Sequence, residues 1–141
     1  MRYVCDAPND RTWFALEAEA EAVAESQLMN HAVDKYFRQE WDKASASFVP
    51  ASPRYIEQEI GRTAHVQRTM PLFLTLRDHE GHGLATAMLP PRGENVPGFR
   101  IIIVGPANGD PYPEHGDAIR LLGDHFGLTL DRARCFPYRR D

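Results

Sequence analysis

The stretch "RIIIVGPANGDPYPEHGDAIRLL", residues 100–122, holds the densest set of groups able to do chemistry. A β-branched apolar run feeds a glycine- and proline-rich loop, and the loop feeds a segment patterned as a helix. Strand, loop and helix in that order make a phosphate site when the first N–H groups of the helix and the positive end of its dipole face an anion. The residues here work against one. Pro106, Pro111 and Pro113 remove backbone donors, while Asp110, Glu114 and Asp117 repel an anion. No Lys, Ser or Thr stands between Gly105 and Leu122 to imitate G-x-x-x-x-G-K-[ST], and Gly105 and Gly109 are wrongly spaced for G-x-G-x-x-G. Two readings remain. One is a proline-stiffened connection leading off a central strand. The other is a polar rim of Asn108, Asp110, Tyr112, Glu114 and His115, whose acidity suits cationic or hydroxylated small molecules.

Other chemistry-bearing groups are sparser. "DHEGHG" sets His79 and His82 beside Asp78 and Glu80, but on a hairpin turn alternate side chains diverge. No H-E-x-x-H or paired C-x-x-C spacing completes a zinc site, so no metal is expected. His31 and His125 fall in helical segments beside the apolar face, where partly buried histidines are common and ligands are not. No G-x-S-x-G nucleophile elbow occurs. Cys135 stands among Arg132, Arg134, Arg139 and Arg140, which would lower its thiol pKa if they converged on it; a buried structural cysteine is the commoner case. The same arginines interleave with Phe136 and Tyr138, residue types that contact phosphates and stack on bases, yet flanking aspartates offset part of the charge. Gly116, Arg120 and Gly123 fall at i, i+4 and i+7 beside the apolar face of the second helix, a stripe where another backbone or a partner subunit can approach closely.

The elements that must position these groups follow from period and punctuation. "RYVC" and "RTWFALE" read as a hairpin across "DAPND". Met29, Ala32, Val33, Tyr36, Phe37 and Trp41 recur at helical spacing, predicting a helix over about 19–42 that buries Phe37 and Trp41. "PLFLTLRD" and "LATAML" form a second hairpin around Gly81 and Gly83, and "FRIIIVG" is the best buried strand. The second helix begins near Pro113 and ends at Gly127 as its C-terminal cap, with Ile119, Leu122 and Phe126 on its apolar side. "LTLDRARCFPY" can return as a strand. This gives an α+β fold, a mostly antiparallel sheet with two main helices packed on one face, a mixed sheet being the alternative.

At 141 residues the chain is the size of a single domain, 1–141, with 26% charged and 43% hydrophobic residues, ordinary globular usage. Its longest strictly apolar runs are far shorter than the roughly 20 residues a membrane-spanning helix needs. The opening residues lack a signal peptide's apolar region, and Cys5 and Cys135 alone make no disulfide framework, so cytoplasmic location is expected. A net charge of −4 disfavours nucleic acid. Nothing calls for a cofactor. Two functions fit: a cytoplasmic, non-catalytic binding or protein-interaction module with a protein partner or a second copy of itself, or a small enzyme at the 105–117 loop. In the enzyme, His115 would be the acid/base, oriented by Asp110 or Asp117.

Overall fold

Two tight turns organise the sheet. In the computed structural model, which describes residues 1–140, β1 (Arg2–Ala7) and β2 (Arg11–Leu16) pair antiparallel across a turn. That turn places Asn9 and Asp10 at φ 64° and 58°, a left-handed conformation their short polar side chains tolerate. β3 (Leu72–Arg77) and β4 (Gly83–Leu89) form the second hairpin, with Gly81 at φ 83°. The short β5 (Ile102–Val104) adds to β4, giving an antiparallel sheet in the order β1-β2-β3-β4-β5. The register of β1 jumps between Tyr3 and Cys5, a bulge at Val4.

Four helices complete the α+β fold: α1 (Glu19–Met29), α2 (Val33–Ala46), α3 (Tyr55–Thr69) and α4 (Tyr112–Phe126). They are shared between the two faces of the sheet instead of sitting on one, because both alternating sets of strand side chains are largely apolar and each needs cover. On one face Trp13, Leu74, Leu76 and Ile103 pack against Ala118, Ile119 and Leu122 of α4. There the Trp13 indole Nε1 donates to the Ala118 carbonyl at 2.9 Å. On the other, Leu16 and Phe73 meet Ala22 of α1, Phe37 of α2 and Val66 of α3. The Phe37 and Phe73 rings lie 5.3 Å apart.

The single helix expected over 19–42 is two. Asn30 takes the left-handed conformation, φ 52°, as the C-cap of α1, and the His31 N–H donates back to the Ser26 carbonyl at 3.2 Å. Ser26 Oγ fixes the corner by accepting from the Asp34 N–H at 2.9 Å and donating to Asp34 Oδ1 at 2.8 Å. The redirected α2 buries Phe37 but leaves Trp41 41% exposed, stacked on Phe37 at the rim instead of in the core. α3 covers "YIEQEIGRTAHVQRT", where apolar spacing gives little helical stripe: Val66 is buried, while Tyr55, Ile56 and Ile60 face solvent.

α4 follows its caps. Pro113 lies in the first turn, and Gly127 is the left-handed C-cap at φ 72°. The Leu128 N–H donates to the Gly123 carbonyl at 2.8 Å. Beyond it the expected strand reduces to a 3₁₀ turn, Arg132–Arg134, and one parallel bridge. In that bridge the Phe136 N–H donates to Ile101 O at 2.8 Å, and the Ile103 N–H donates to Phe136 O at 3.1 Å. No helix among the described residues is long and apolar enough to cross a membrane.

Candidate functional site

A cavity of about 480 Å³ opens on the face covered by α1 to α3, between the start of α2, the β4–β5 edge and the Phe136 bridge. Strand register explains its wall. Thr86 pairs with Val104 and Met88 with Ile102, and cross-strand partners share a face, so all four side chains look into the same space. Arg100, two residues before Ile102, continues that face, while Ala32, Val33 and Tyr36 close the opposite side.

Behind the Thr86 wall lies a buried polar network. α1 buries Ala22, Glu25 and Met29, so its apolar stripe carries a carboxylate that must find partners in the interior. Glu25, with no exposed surface, accepts from Arg77 Nη2 at 2.6 Å through one oxygen and from the Thr86 hydroxyl at 2.6 Å through the other. Arg77 Nε donates to Thr75 Oγ1 at 3.0 Å. His31 Nε2 lies 2.9 Å from Thr86 Oγ1. The Thr86 proton is already given to Glu25, so His31 must donate through Nε2–H, leaving Nδ1 to accept from the Val33 N–H at 3.4 Å. Burial holds the His31 imidazole below its ordinary pKa, although the Glu25 carboxylate pulls it up. It is the neutral Nε2–H tautomer that faces the cavity.

The residues singled out in the 105–117 loop do not converge. Asn108 lines the cavity, and its carboxamide has no protein partner among the described residues. Asp110 Oδ1 accepts from the Tyr112 N–H at 3.0 Å and Oδ2 from Arg132 Nε at 2.8 Å; although burial opposes it, these bonds hold the carboxyl below its usual pKa. The Tyr112 hydroxyl donates to Leu130 O at 2.8 Å, and burial raises its pKa. Glu114 is exposed. His115 belongs to the α4 face, where its Nδ1 accepts from Arg11 Nη1 at 2.9 Å; Arg11 Nη2 donates to Asp117 Oδ2 at 2.8 Å. Burial and the neighbouring guanidinium both lower the His115 pKa. The expected orienting carboxylate is therefore replaced at Nδ1 by a cation.

The glycine stripe divides as well. Around Gly116 the space for a Cβ is open and Arg120 is exposed, whereas a Cβ on Gly123 would lie 2.5 Å from Leu128 O, in the chain's own returning segment. Asp78 spends its carboxylate on the backbone N–H groups of Glu80 and His82 and on His82 Nδ1 at 2.9 Å. Among the described residues no group of His, Cys, Asp and Glu is arranged to hold a metal ion. Burial pushes the thiols of Cys5 and Cys135 up, and both are free. Of the arginines beside Cys135 in sequence, Arg132 stacks over Tyr138 at 4.5 Å and Arg139 over Phe136 at 5.6 Å, while Arg134 pairs with Asp131 at 3.7 Å; Arg100 also lies over the Phe136 ring, at 4.2 Å.

A second groove, about 720 Å³, runs beside Trp41, Val66 and Phe126, and its wall includes the exposed pair Arg2–Glu17. It is larger, but among the described residues no fully buried charged network stands behind it. Glu25, Arg77, Thr86 and Arg100 were not legible as site residues, and Phe136 stood out only as a ring able to stack on bases. The one signal for them is an acid on the buried stripe of α1, three residues after Ala22 and four before Met29. Comparison of the chain with models of known families, with curated proteins and with solved structures finds no match.

Proposed function

We propose that the chain is a non-catalytic binding module whose ligand site is the cavity between α2 and the β4–β5 edge. The observation that carries this reading is the direction of the proton chain His31→Thr86→Glu25. A base that activates a hydroxyl must accept its proton: the imidazole donates instead, and Glu25, which does accept it, is paired with Arg77 behind a Thr86 that is itself buried and so offers no free nucleophile. The network thus serves as a rigid, satisfied wall, and a largely apolar cavity with a few placed polar groups is the usual form of a small-molecule site. The enzymatic alternative at His115 has less support, because Arg11 occupies the nitrogen that an orienting carboxylate would need. Cytoplasmic location belongs to the same proposal, supported by the unbridged Cys5 and Cys135.

The test is saturable binding of the uncharged fluorophore Nile red, followed by its fluorescence, in the natural protein and in Ala32→Trp. Ala32 is exposed at the cavity wall, so the larger ring covers the opening without entering the core. Saturable binding that the substitution abolishes is expected. Non-saturable binding, or binding unchanged in Ala32→Trp, overturns the reading.

A further inference from the structure

We infer that the ligand of this cavity is a small organic monoanion, a carboxylate on an apolar body, with its charge on Arg100. The inference rests on the ligand-site reading above and adds the ligand's chemistry. Three observations support it, the first being the charge of the wall. The polar side chains lining the cavity are His31, Tyr36, Thr86, Asn108 and Arg100, and none is a carboxylate; Glu25 lies behind Thr86, sealed by its own partners. Arg100 therefore dominates the charge of the site.

The second is the state of Arg100. Among the described residues no carboxylate lies within ion-pair distance of it, although Arg11, Arg38, Arg77 and Arg132 all have one. Its guanidinium rests 4.2 Å from the centroid of the Phe136 ring, itself part of the cavity wall and fixed by its residue's two backbone bonds to Ile101 and Ile103. Stacking holds the planar group in place while leaving its edge free to donate, the arrangement that matches the two oxygens of a carboxylate. A cation held on an aromatic ring at the edge of an apolar cavity is organised before the anion arrives.

The third is the separation of the polar groups. Arg100 and Val104, the partner of Thr86, are four residues apart, at most about 13 Å along the chain. Ile102 and Met88 fill the interval, while the His31 and Thr86 atoms that could meet a ligand are already hydrogen-bonded. This favours an apolar body lying from Arg100 toward Thr86, with the free carboxamide of Asn108 available to an uncharged polar group at the far end.

The experiment titrates phenylbutyrate and its uncharged isostere phenylbutyramide into the natural protein, Arg100→Gln and Arg100→Lys by calorimetry, with Nile red binding measured on each. Arg100 is exposed, so neither replacement disturbs the core. The carboxylate should bind the natural protein at least about tenfold more tightly than the amide, the scale of one charge-assisted bidentate contact. Arg100→Gln should remove that preference while Nile red binds as before, and Arg100→Lys should keep part of it. Equal affinities for the two isosteres, failure of both to bind while Nile red does, or a preference that survives Arg100→Gln overturns the ligand class alone. Loss of saturable Nile red binding in the natural protein overturns the site and this inference together.

Discussion

The two faces of the sheet solve the same packing problem in different ways. Under α4 the interior is apolar: Trp13, Leu76, Ile103, Ile119 and Leu122 are fully buried, the one indole N–H among them is spent on a carbonyl, and the buried Arg11 is paired with Asp117 and His115 of α4. Under α1 to α3 the cover is looser, polar groups enter the core, and a cavity remains. One helix laid along the strands seals a face; three helices of 11, 14 and 15 residues, the first two meeting at a corner, seal most of the other and leave a place for something else. The stiff face holds the strands in register, and the open face uses that register to align Thr86, Met88, Ile102 and Val104 as a wall.

The largest expected effects test how each face is held. Trp13→Ala should cost about 3–5 kcal/mol in denaturant melts, since it empties the centre of the α4 face. Glu25→Ala should cost a similar amount, about 3–5 kcal/mol, because it strands Arg77 and Thr86 without their partner. The faces then part. Replacing Glu25 and Arg77 together by methionine should recover much of the loss, because the penalty arises from unpaired charge. A double variant as unstable as Glu25→Ala would mean that the open face is held by packing after all.

A smaller effect separates the glycines. Gly123→Leu should destabilise by about 1–3 kcal/mol, since its Cβ collides with Leu128 O, and should leave the sedimentation behaviour unchanged. A variant that melts like the natural protein would show that the 128–130 segment can move away. The pH response is smaller. His31 and His115 have folded pKa values below the ordinary 6.5, so the unfolded chain binds more protons and stability should fall as pH drops through and below that value. His82, raised by Asp78, contributes in the opposite direction, its stabilisation being lost as pH rises through its folded value. The melting temperature should therefore decline less steeply on acidification in His31→Gln, which keeps a donor to Thr86; an identical slope would remove His31 from the account. The smallest effect is a gain. Gly116→Ala, in open space on α4, should stabilise by up to about 1 kcal/mol.

Elements marked by local chemistry were legible in the sequence. The hairpins announced themselves by alternation and turn residues, and α4 by Pro113 and Gly127, because each signal acts within a few residues of its effect. The break at Asn30 was not, since neither Pro nor Gly marks it and the apolar spacing runs through it. α3 was missed because its exposed side includes Tyr55, Ile56 and Ile60, which erases the stripe that identifies a helix. The site was nearly invisible for a different reason. Its network joins residues 52, 55 and 61 positions apart, and nothing in a local window connects Glu25 with Arg77 or Thr86. The loop richest in functional groups has its side chains dispersed over both faces, His115 and Asp117 toward Arg11 and Asn108 at the cavity.

The Val4 bulge and the Phe136 bridge lie at opposite margins of the sheet and together decide how the protein meets others of its kind. A flat outer strand is a template on which a neighbouring chain can add hydrogen bonds without limit. At one margin the bulge breaks the regular spacing of β1, and at the other the returning tail already occupies groups of β5. The ladder is therefore finite by construction. Crowded or partly opened molecules should stay dispersed where a regular edge would seed fibres, and shortening the chain before Phe136 would restore the template.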